Sequence, residues 1–297
     1  MKVVVFGGSG FVGSHVADEL TARGHKVKIY DLQHSPYLKK GQQMIVGDIL
    51  DKEKVIGAVK GCDVVYNFAG LADLDTATTQ PMDTVNQNIL GNALILDASV
   101  KAKIKRFVYA STIYVYSSLG GFYRCSKQAS ELYIEEYQNR YGLNFTILRY
   151  GTLYGPRADE RNSIYRYLKQ GLFEKKIVGY GTGEELREYI HVSDAAKLSV
   201  DVLSDEFKNS YIIITGHHPI KYKEMLHTIK EILGGKVVIE FRPPKESARY
   251  SAHYGITPYS FIPKLGKKLV SHYYTDIGQG LLGCLHEISK ESKKNNF

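Results

Sequence analysis

A glycine-rich turn near the start of the chain, GGSGFVG over residues 7–13, constrains the fold more than any other feature of the sequence. It follows an apolar run at residues 2–6 and precedes an amphipathic stretch, which is the order of a buried parallel strand, a tight turn and a helix. Glycine lets the backbone approach a pyrophosphate, and the N–H groups at the helix N-terminus would bind its charge. The turn therefore predicts a dinucleotide-binding unit whose contact residues are Gly7, Gly10, Phe11, Val12 and Gly13.

Strand-like and helix-like segments go on alternating as far as residue 150. Such alternation is typical of an α/β fold with a doubly wound parallel sheet of the Rossmann type. Beyond Arg149 the alternation loosens, and a helix at Ser193–Leu203 with a strand at Tyr211–Ile214 indicates a return to the sheet. We therefore expect a Rossmann domain over residues 1–150 plus about 189–215, and a smaller, discontinuous second domain over 151–188 and 216–297.

Composition excludes several classes of function. Three cysteines without CxxC spacing indicate thiols in a reducing compartment, which predicts a cytoplasmic protein. The net charge is +8, but the lysines are scattered, so no nucleic-acid partner is expected. Apolar runs stay well short of the roughly 20 residues of a membrane span, so no membrane association is expected. The ten histidines show no metal-ligand spacing, and no metal site is predicted.

Polar and glycine residues follow the predicted second, third and fourth strands. Asp31 ends the second strand, where a carboxylate accepts hydrogen bonds from the adenosine ribose and repels a 2′-phosphate. This position favours NAD over NADP. Two further loops at the same edge of the sheet fit an adenine and ribose site, and their predicted contact residues are Asp48, Ile49, Phe68, Ala69 and Gly70.

A tyrosine and a lysine four residues apart open the helix predicted after the fifth strand. Tyr123 and Lys127 share one face of that helix, and Thr112 ends the preceding strand. A neighbouring cation lowers the pKa of a phenol, which is near 10 in water, by about 1–3 units. Together with an oxidised nicotinamide, Lys127 would make Tyr123 a usable general base, and Thr112 would orient the substrate oxygen. Tyr165 and Lys169 have the same spacing but no such strand end before them.

These segments together resemble the extended short-chain dehydrogenase/reductase family, especially its nucleotide-sugar epimerase branch. The resemblance runs from Lys2 to about Asp194 and continues more faintly to about Leu282. The matching segments are GGSGFVG at 7–13, Asp31, GDIL at 47–50, NFAG at 67–70, YAST at 109–112, YRCSK at 123–127, RYGTLYGPR at 149–157 and REYIHVSD at 187–194.

The resemblance assigns roles to residues on both sides of the site. It implies that Tyr123 is the catalytic base, that Lys127 holds the nicotinamide ribose and that Thr112 is the hydroxyl partner. It also implies that Arg187 and Arg242 clamp the diphosphate of a nucleotide-sugar substrate, a bidentate task suited to guanidinium groups. Thr152 stands where many members carry an asparagine that touches the nucleotide. Two helices, around residues 89–96 and 132–134, are expected to form a four-helix bundle across a homodimer.

The resemblance implies an NAD-dependent nucleotide-sugar epimerase, acting at C4 through a transient 4-keto sugar. Ile113 and Tyr114 follow Thr112 where dehydratases carry an Asp-Glu pair and decarboxylases a glutamate. Water elimination and decarboxylation are therefore not expected. A nucleotide-4-keto-sugar reductase or a sugar dehydrogenase on the same site is the alternative. A non-catalytic dinucleotide sensor would have no need of Thr112, Tyr123 and Lys127.

Overall fold

The structure, a computed structural model, describes residues 1–243, 266–271 and 274–294. The strands are β1 Lys2–Phe6, β2 Lys26–Asp31, β3 Gln43–Val46, β4 Val64–Asn67, β5 Arg106–Thr112, β6 Phe145–Tyr150, β7 Thr152–Tyr154, β8 Lys176–Tyr180, β9 Leu186–Arg187, β10 Tyr189–His191, β11 Ser210–Ile214, β12 Ile220–Lys221, β13 Val238–Arg242 and β14 Lys267–Lys268. The α-helices are α1 Phe11–Ala22, α2 Lys52–Val59, α3 Leu74–Thr79, α4 Pro81–Thr84, α5 Gly91–Lys101, α6 Gly121–Tyr141, α7 Ser163–Lys169, α8 Val192–Asp201, α9 Tyr222–Ile232 and α10 Ile277–Lys294.

A parallel sheet dominates the described part of the chain. Its eight strands there run in the order β14-β11-β6-β5-β4-β1-β2-β3, and every neighbouring pair is parallel. The strand order reverses at β1, because β2 and β3 lie on one side of it and β4, β5 and β6 lie on the other. Ligands of open α/β sheets bind at such a switch point, beyond the carboxyl ends of the strands. The glycine-rich turn follows β1 directly and so lies there.

The sheet forms because its central strands are apolar on both faces. Val3, Val4, Val5 and Phe6 of β1 are fully buried, and β4 and β6 are buried along their whole length. Strands covered on both faces carry continuous apolar runs and no alternation, as the sequence of β1 indicates. Burial of each such side chain contributes about 1.5–3 kcal/mol to the folded state. This rigid centre carries the loops in which the candidate site lies.

The helix expected around residues 89–96 is interrupted in the structure. Helix α4 runs into a π-helical turn at Val85–Leu90, which then continues into α5, and α3 precedes them as a separate short helix. A π turn inserts one extra residue into the helical hydrogen-bond pattern, and hydrophobic periodicity does not predict it. Within the described ranges, no helix combines the length and the apolar character needed to cross a bilayer.

The described residues group into two compact units. The first contains residues 1–150, 196–214 and 266–269, and includes the parallel sheet. The second contains residues 151–195, 215–243, 270–271 and 274–294. Its core is built by α7, α9 and α10, whose buried side chains include Leu168, Leu226 and Leu281. Short strand pairs, β7 with β10, β9 with β12 and β8 with β13, complete the second unit as described.

Candidate active site

The turn after β1 brings three backbone segments close together. Gly7 has a φ of +74°, and a Cβ there would lie 2.6 Å from the backbone of Phe68 and Ala69. A Cβ on Gly13 would lie 2.2 Å from the carbonyl oxygen of Gly7, so α1 approaches the turn more closely than any side chain allows. Helix α1 begins at Phe11, and no side chain caps its N-terminus at Gly10. Its first N–H groups are therefore suited to bind an anionic group.

Asp31 lies at the carboxyl end of β2, beside this turn. Its Oδ2 accepts a hydrogen bond from the backbone N–H of Ser9 at 2.9 Å, and the hydroxyl of Ser9 donates to the carbonyl of Gln33. The carboxylate is thus held at the turn, and acceptor oxygens of this kind suit a ribose diol. The structure places Asp31 beside the glycine turn, and its role toward the adenosine ribose stays a prediction.

The loops after β3 and β4 complete this edge of the first unit. Asp48 accepts a hydrogen bond from the N–H of Leu50, and the carbonyl oxygen of Asp48 accepts from the Tyr30 hydroxyl at 2.7 Å. The neighbouring Ile49 side chain is buried.

Phe68, Ala69 and Gly70 follow β4 and lie against the glycine turn. Phe68 donates its N–H to the Phe6 carbonyl, and Ala69 donates to the side chain of Asn67. Gly70 has a φ of +139°, and a Cβ there would meet the amide oxygen of Asn88 at 2.4 Å. Backbone therefore lines this part of the site.

Thr112, Tyr123 and Lys127 come together where β5 ends and α6 begins. The Thr112 side chain lies beside the Tyr123 hydroxyl and favours the ionised form of the phenol. The Lys127 Nζ lies 5.8 Å from the centre of the Tyr123 ring and 4.8 Å from that of Tyr109, and it donates to the Ala110 carbonyl at 2.8 Å. The structure thus joins a phenol, a hydroxyl and an ammonium in one cluster, as the spacing of these residues predicts.

Burial changes the proton affinity of both ionisable groups in this cluster. It raises the pKa of Tyr123 to about 12, although the Thr112 side chain acts in the opposite direction. It lowers the pKa of Lys127 to about 8, against the charge of Glu131, which raises it. The expected lowering of the Tyr123 pKa is therefore not a property of the chain alone, because desolvation of the phenolate is the largest effect on it. Further positive charge at the site is needed to reverse the shift.

The predicted substrate residues belong to the second unit. Thr152 begins β7, where it pairs with Tyr189. Arg187 ends β9, and its Nη1 donates to the Leu186 carbonyl. Arg242 ends β13 in a different strand pair, and its guanidinium is ion-paired with Glu240 at 2.6 Å. The diphosphate clamp assigned to the two arginines remains a prediction.

Three buried polar residues near the cluster are absent from the sequence predictions. Asn88, in the π turn, bonds with both backbone groups of Leu71 and donates to Ser126. Glu131 and Arg149 form a buried ion pair beside the cluster. The signal that points to Arg149 is a charged residue within the otherwise apolar stretch FTILRY, residues 145–150.

The donor groups at this sheet edge fit a dinucleotide. The uncapped helix N-terminus suits a diphosphate, Asp31 suits a ribose diol, and Lys127 with Tyr123 suits a nicotinamide ribose. A Rossmann sheet with these groups and with the Thr112–Tyr123 pair defines an enzyme of the short-chain dehydrogenase/reductase class. The chain belongs to the NAD dependent epimerase/dehydratase family, whose model matches residues 3–214.

Known proteins similar to this chain have related activities. A UDP-N-acetyl-alpha-D-glucosaminuronate decarboxylase of Bacillus cytotoxicus is 28% identical over 258 residues, which cover 78% of this chain and 80% of the relative. A putative UDP-glucose 4-epimerase of Methanocaldococcus jannaschii is 27% identical over 277 residues, which cover 86% and 90%. The solved UDP-glucose 4-epimerase of Thermus thermophilus, in complex with NAD, has a TM-score of 0.83 at 24% identity and covers 97% of this chain and 99% of its own.

The comparisons confirm the predictions of family and of fold class. The Rossmann-type sheet is also that of the Thermus structure, and the family model covers the predicted NAD-binding segments. NAD dependence belongs to the family as a whole, so the prediction of an NAD-dependent enzyme of the epimerase class is confirmed as well.

Proposed function

We propose that this protein is an NAD-dependent epimerase that inverts C4 of a nucleotide-diphosphate sugar. The observation that carries the proposal is the cluster of Thr112, Tyr123 and Lys127 at the end of β5. A phenol that lies beside a second hydroxyl and near an ammonium is suited to remove and return the proton of a sugar hydroxyl. The NAD-dependent family to which the chain belongs supports this reading.

In the proposed reaction, Tyr123 removes the proton of the C4 hydroxyl while Thr112 orients that hydroxyl by a hydrogen bond. Bound NAD supplies the hydride acceptor and, once reduced, the hydride donor. Lys127 binds the nicotinamide ribose, and its charge stabilises the tyrosinate. After the 4-keto sugar has turned over, Tyr123 returns the proton. The overall reaction involves no net oxidation.

The residues after Thr112 support epimerisation over elimination and decarboxylation. Ile113 and Tyr114 lie in a 3₁₀ turn and are both buried. The Tyr114 and Tyr123 rings form a T-shaped pair, with centroids 6.4 Å apart. Neither residue supplies the additional carboxyl group that removes a proton next to a carbonyl. We therefore prefer the epimerase although one of the relatives is a decarboxylase.

We assign the two compact units to the two ligands. The first unit would bind NAD through the glycine turn, Asp31 and the loops after β3 and β4. The second would bind the nucleotide sugar, with Arg187 and Arg242 on its diphosphate and Thr152 near its base. Arginine is suited to this task because its planar guanidinium binds phosphate oxygens in pairs. UDP is the nucleotide named for the relatives reported above.

We also infer a homodimer that is formed through the π turn and α6. Apolar side chains there are exposed: Val85 (43%), Leu90 (47%), Leu132 (56%) and Tyr133 (50%). Large apolar side chains exposed on neighbouring helical segments favour an interface there. A four-helix bundle made with a second copy would cover these side chains.

We propose a cytoplasmic location because the cysteines are not joined in disulfides. Cys62, Cys125 and Cys284 are all free thiols, and Cys125 is exposed. An exposed free thiol is compatible with a reducing compartment.

The first experiment tests the cofactor and the reaction together. The purified protein is denatured and any released dinucleotide is identified by chromatography, and native protein is incubated with UDP-, GDP- and CDP-hexoses. We expect bound NAD and formation of the C4 epimer of one sugar. The Tyr123→Phe variant should lose at least about 100-fold in kcat, because general acid–base catalysis contributes 10²–10⁴-fold.

Tyr165→Phe is the matched control, because Tyr165 and Lys169 have the same spacing outside the cluster. Its kcat should equal that of the unmodified enzyme. Full activity of Tyr123→Phe would contradict the proposed role of the phenol. An empty protein that prefers NADPH and reduces an added nucleotide-4-keto sugar would instead indicate the nucleotide-4-keto-sugar reductase.

A further inference from the structure

Glu131 and Arg149 form an ion pair that is shielded from water within the first unit. Their side chains are 0% and 1% exposed, respectively. Arg149 donates from Nη2 to Oε2 at 2.8 Å and from Nε to Oε1 at 3.0 Å, so the pair is bidentate. Removing two charges from water carries a large cost, and apolar residues of similar volume often stabilise a fold equally well. Stability alone therefore does not account for the pair.

The ion pair is hydrogen-bonded near both ends of residues 111–117, which carry the Thr112 hydroxyl and are named the Thr112 segment. The Ser111 hydroxyl donates to Glu131 Oε1 at 2.6 Å, just before Thr112 in the chain. Arg149 Nη1 donates to the Tyr116 hydroxyl at 2.5 Å, and the guanidinium lies 4.8 Å from the centre of the Tyr116 ring. The chain between these anchors turns through the 3₁₀ segment Ile113–Tyr116.

The same pair belongs to the helix that carries the other two groups of the cluster. Glu131 lies four residues after Lys127 and eight after Tyr123, so the three side chains follow one face of α6. Glu131 lies one helical turn after Lys127 on that face, and its negative charge raises the pKa of the lysine. The contacts of Glu131 with Ser111 and Arg149 therefore fix the position of α6 relative to the end of β5.

We propose that Glu131 and Arg149 are positioning residues for proton transfer: they hold the Thr112 segment and helix α6 in register, so that the Tyr123 phenol meets the Thr112 hydroxyl. The proposal rests on the proposed function for its kinetic consequences. A proton is transferred efficiently only when donor and acceptor are held within hydrogen-bond distance, and small displacements reduce the rate strongly. Substrate binding by the second unit involves neither residue.

The test replaces both charges at once, so that neither remains buried alone. In the variant Glu131→Leu/Arg149→Met we expect a folded protein in which kcat falls at least 10-fold and KM changes less than 3-fold. The control is Asp159→Leu/Arg161→Met, which removes an exposed pair of the same charges and should leave kcat unchanged. Native kcat in the first variant would show that the pair only fills space, and would overturn the proposal.

A second variant leaves the ion pair in place and is used if the first does not fold. Ser111→Ala/Tyr116→Phe removes only the two hydroxyl groups that link the Thr112 segment to the pair. We expect a 10-fold lower kcat with unchanged KM. Unchanged kcat in this folded variant would contradict the proposal.

Hydrogen exchange gives a reading that does not depend on turnover. The N–H groups of Tyr114 and Ser117 are hydrogen-bonded within the Thr112 segment. In both variants the peptide covering residues 111–118 should exchange at least 10-fold faster, while the peptide covering β1 exchanges at its native rate. If the unmodified enzyme converts no nucleotide sugar, the proposed function fails, but this measurement still decides the positioning role. Native exchange at 111–118 would contradict it.

Discussion

At the scale of single residues, the ammonium group of Lys127 is unusual because it is a charged group that is buried. The residue is 5% exposed, and burial lowers its pKa from 10.5 to about 8. Below pH 8 the folded and unfolded chains both carry this proton, and the folded chain bears the full cost of the buried charge. Between pH 8 and 10.5 the unfolded chain binds more protons than the folded chain, so this contribution to stability rises with pH.

This pH dependence predicts how the stability of the Lys127→Met variant compares with that of the unmodified protein. Methionine removes the buried charge, so the variant should be the more stable at pH 7.5 by about 3 kcal/mol. The difference in unfolding free energy should shrink by about 2 kcal/mol at pH 10, where the lysine of the folded chain is neutral. Urea unfolding at the two pH values measures both differences. A stability difference for Lys127→Met that is the same at both pH values would contradict the lowered pKa.

Asp31 carries a second prediction at this scale, on the choice of dinucleotide. Asp31→Asn keeps an oxygen that can accept from the Ser9 N–H but removes the negative charge. We expect NADH to bind about 3- to 10-fold more weakly, because hydrogen bonds to charged groups contribute about 1.5–3 kcal/mol and an amide retains part of this. NADPH should bind more tightly, since its 2′-phosphate is no longer repelled. Fluorescence titration measures both affinities, and Glu53→Gln on α2 is the control. Unchanged affinities for both would contradict the predicted role.

At the scale of elements, the close approach of α1 to the turn after β1 depends on Gly13. A Cβ there would overlap the carbonyl of Gly7, and neither backbone segment can yield without moving the helix. This close packing of α1 against the turn is measured by the 2.2 Å between the Gly7 carbonyl oxygen and the position of a Cβ on Gly13. A second helical glycine, Gly57 in α2, differs from Gly13, because a Cβ there would have no neighbouring atom within 4 Å.

The two glycines should therefore respond to alanine in opposite directions. Gly13→Ala should lower the free energy of unfolding by about 1–3 kcal/mol, the usual cost of overpacking, and should weaken NADH binding because α1 moves. Gly57→Ala should raise the free energy of unfolding by about 0.5–1 kcal/mol, because alanine is the better helix former. Denaturant unfolding measures both changes. Equal stability of the two variants would contradict the close packing of α1.

At the scale of the whole molecule, the exposed apolar side chains of α6 decide the proposed assembly. Leu132→Glu places a charge where the bundle with a second copy is inferred, so we expect monomers at micromolar concentration in sedimentation experiments. Leu282→Glu on α10 is the matched control, because that leucine is similarly exposed at 47% and lies outside the inferred bundle. Its assembly should equal that of the unmodified protein. A dimer that survives Leu132→Glu would place the interface elsewhere.

Much of the first unit follows from the sequence because its signals are local. The apolar run of β1, the glycine turn and the spacing of Tyr123 and Lys127 are properties of a few neighbouring residues, and each predicts its element or its chemistry directly. The resemblance to a family adds the roles that spacing alone leaves open. The predicted Rossmann-type fold, the family and the NAD cofactor are confirmed on that basis.

The tertiary structure decided what depends on partners distant in the chain. Two-residue strands such as β9 and β14 exist only because a neighbouring strand binds them, and no periodicity is visible over such a length. The pairing of Glu131 with Arg149 joins residues 18 positions apart through burial that the sequence does not display. The raised pKa of Tyr123 and the lowered pKa of Lys127 likewise arise from desolvation, which only the packing of the folded chain produces. The sequence determined which groups are available, and tertiary packing decided their proton affinities and their register.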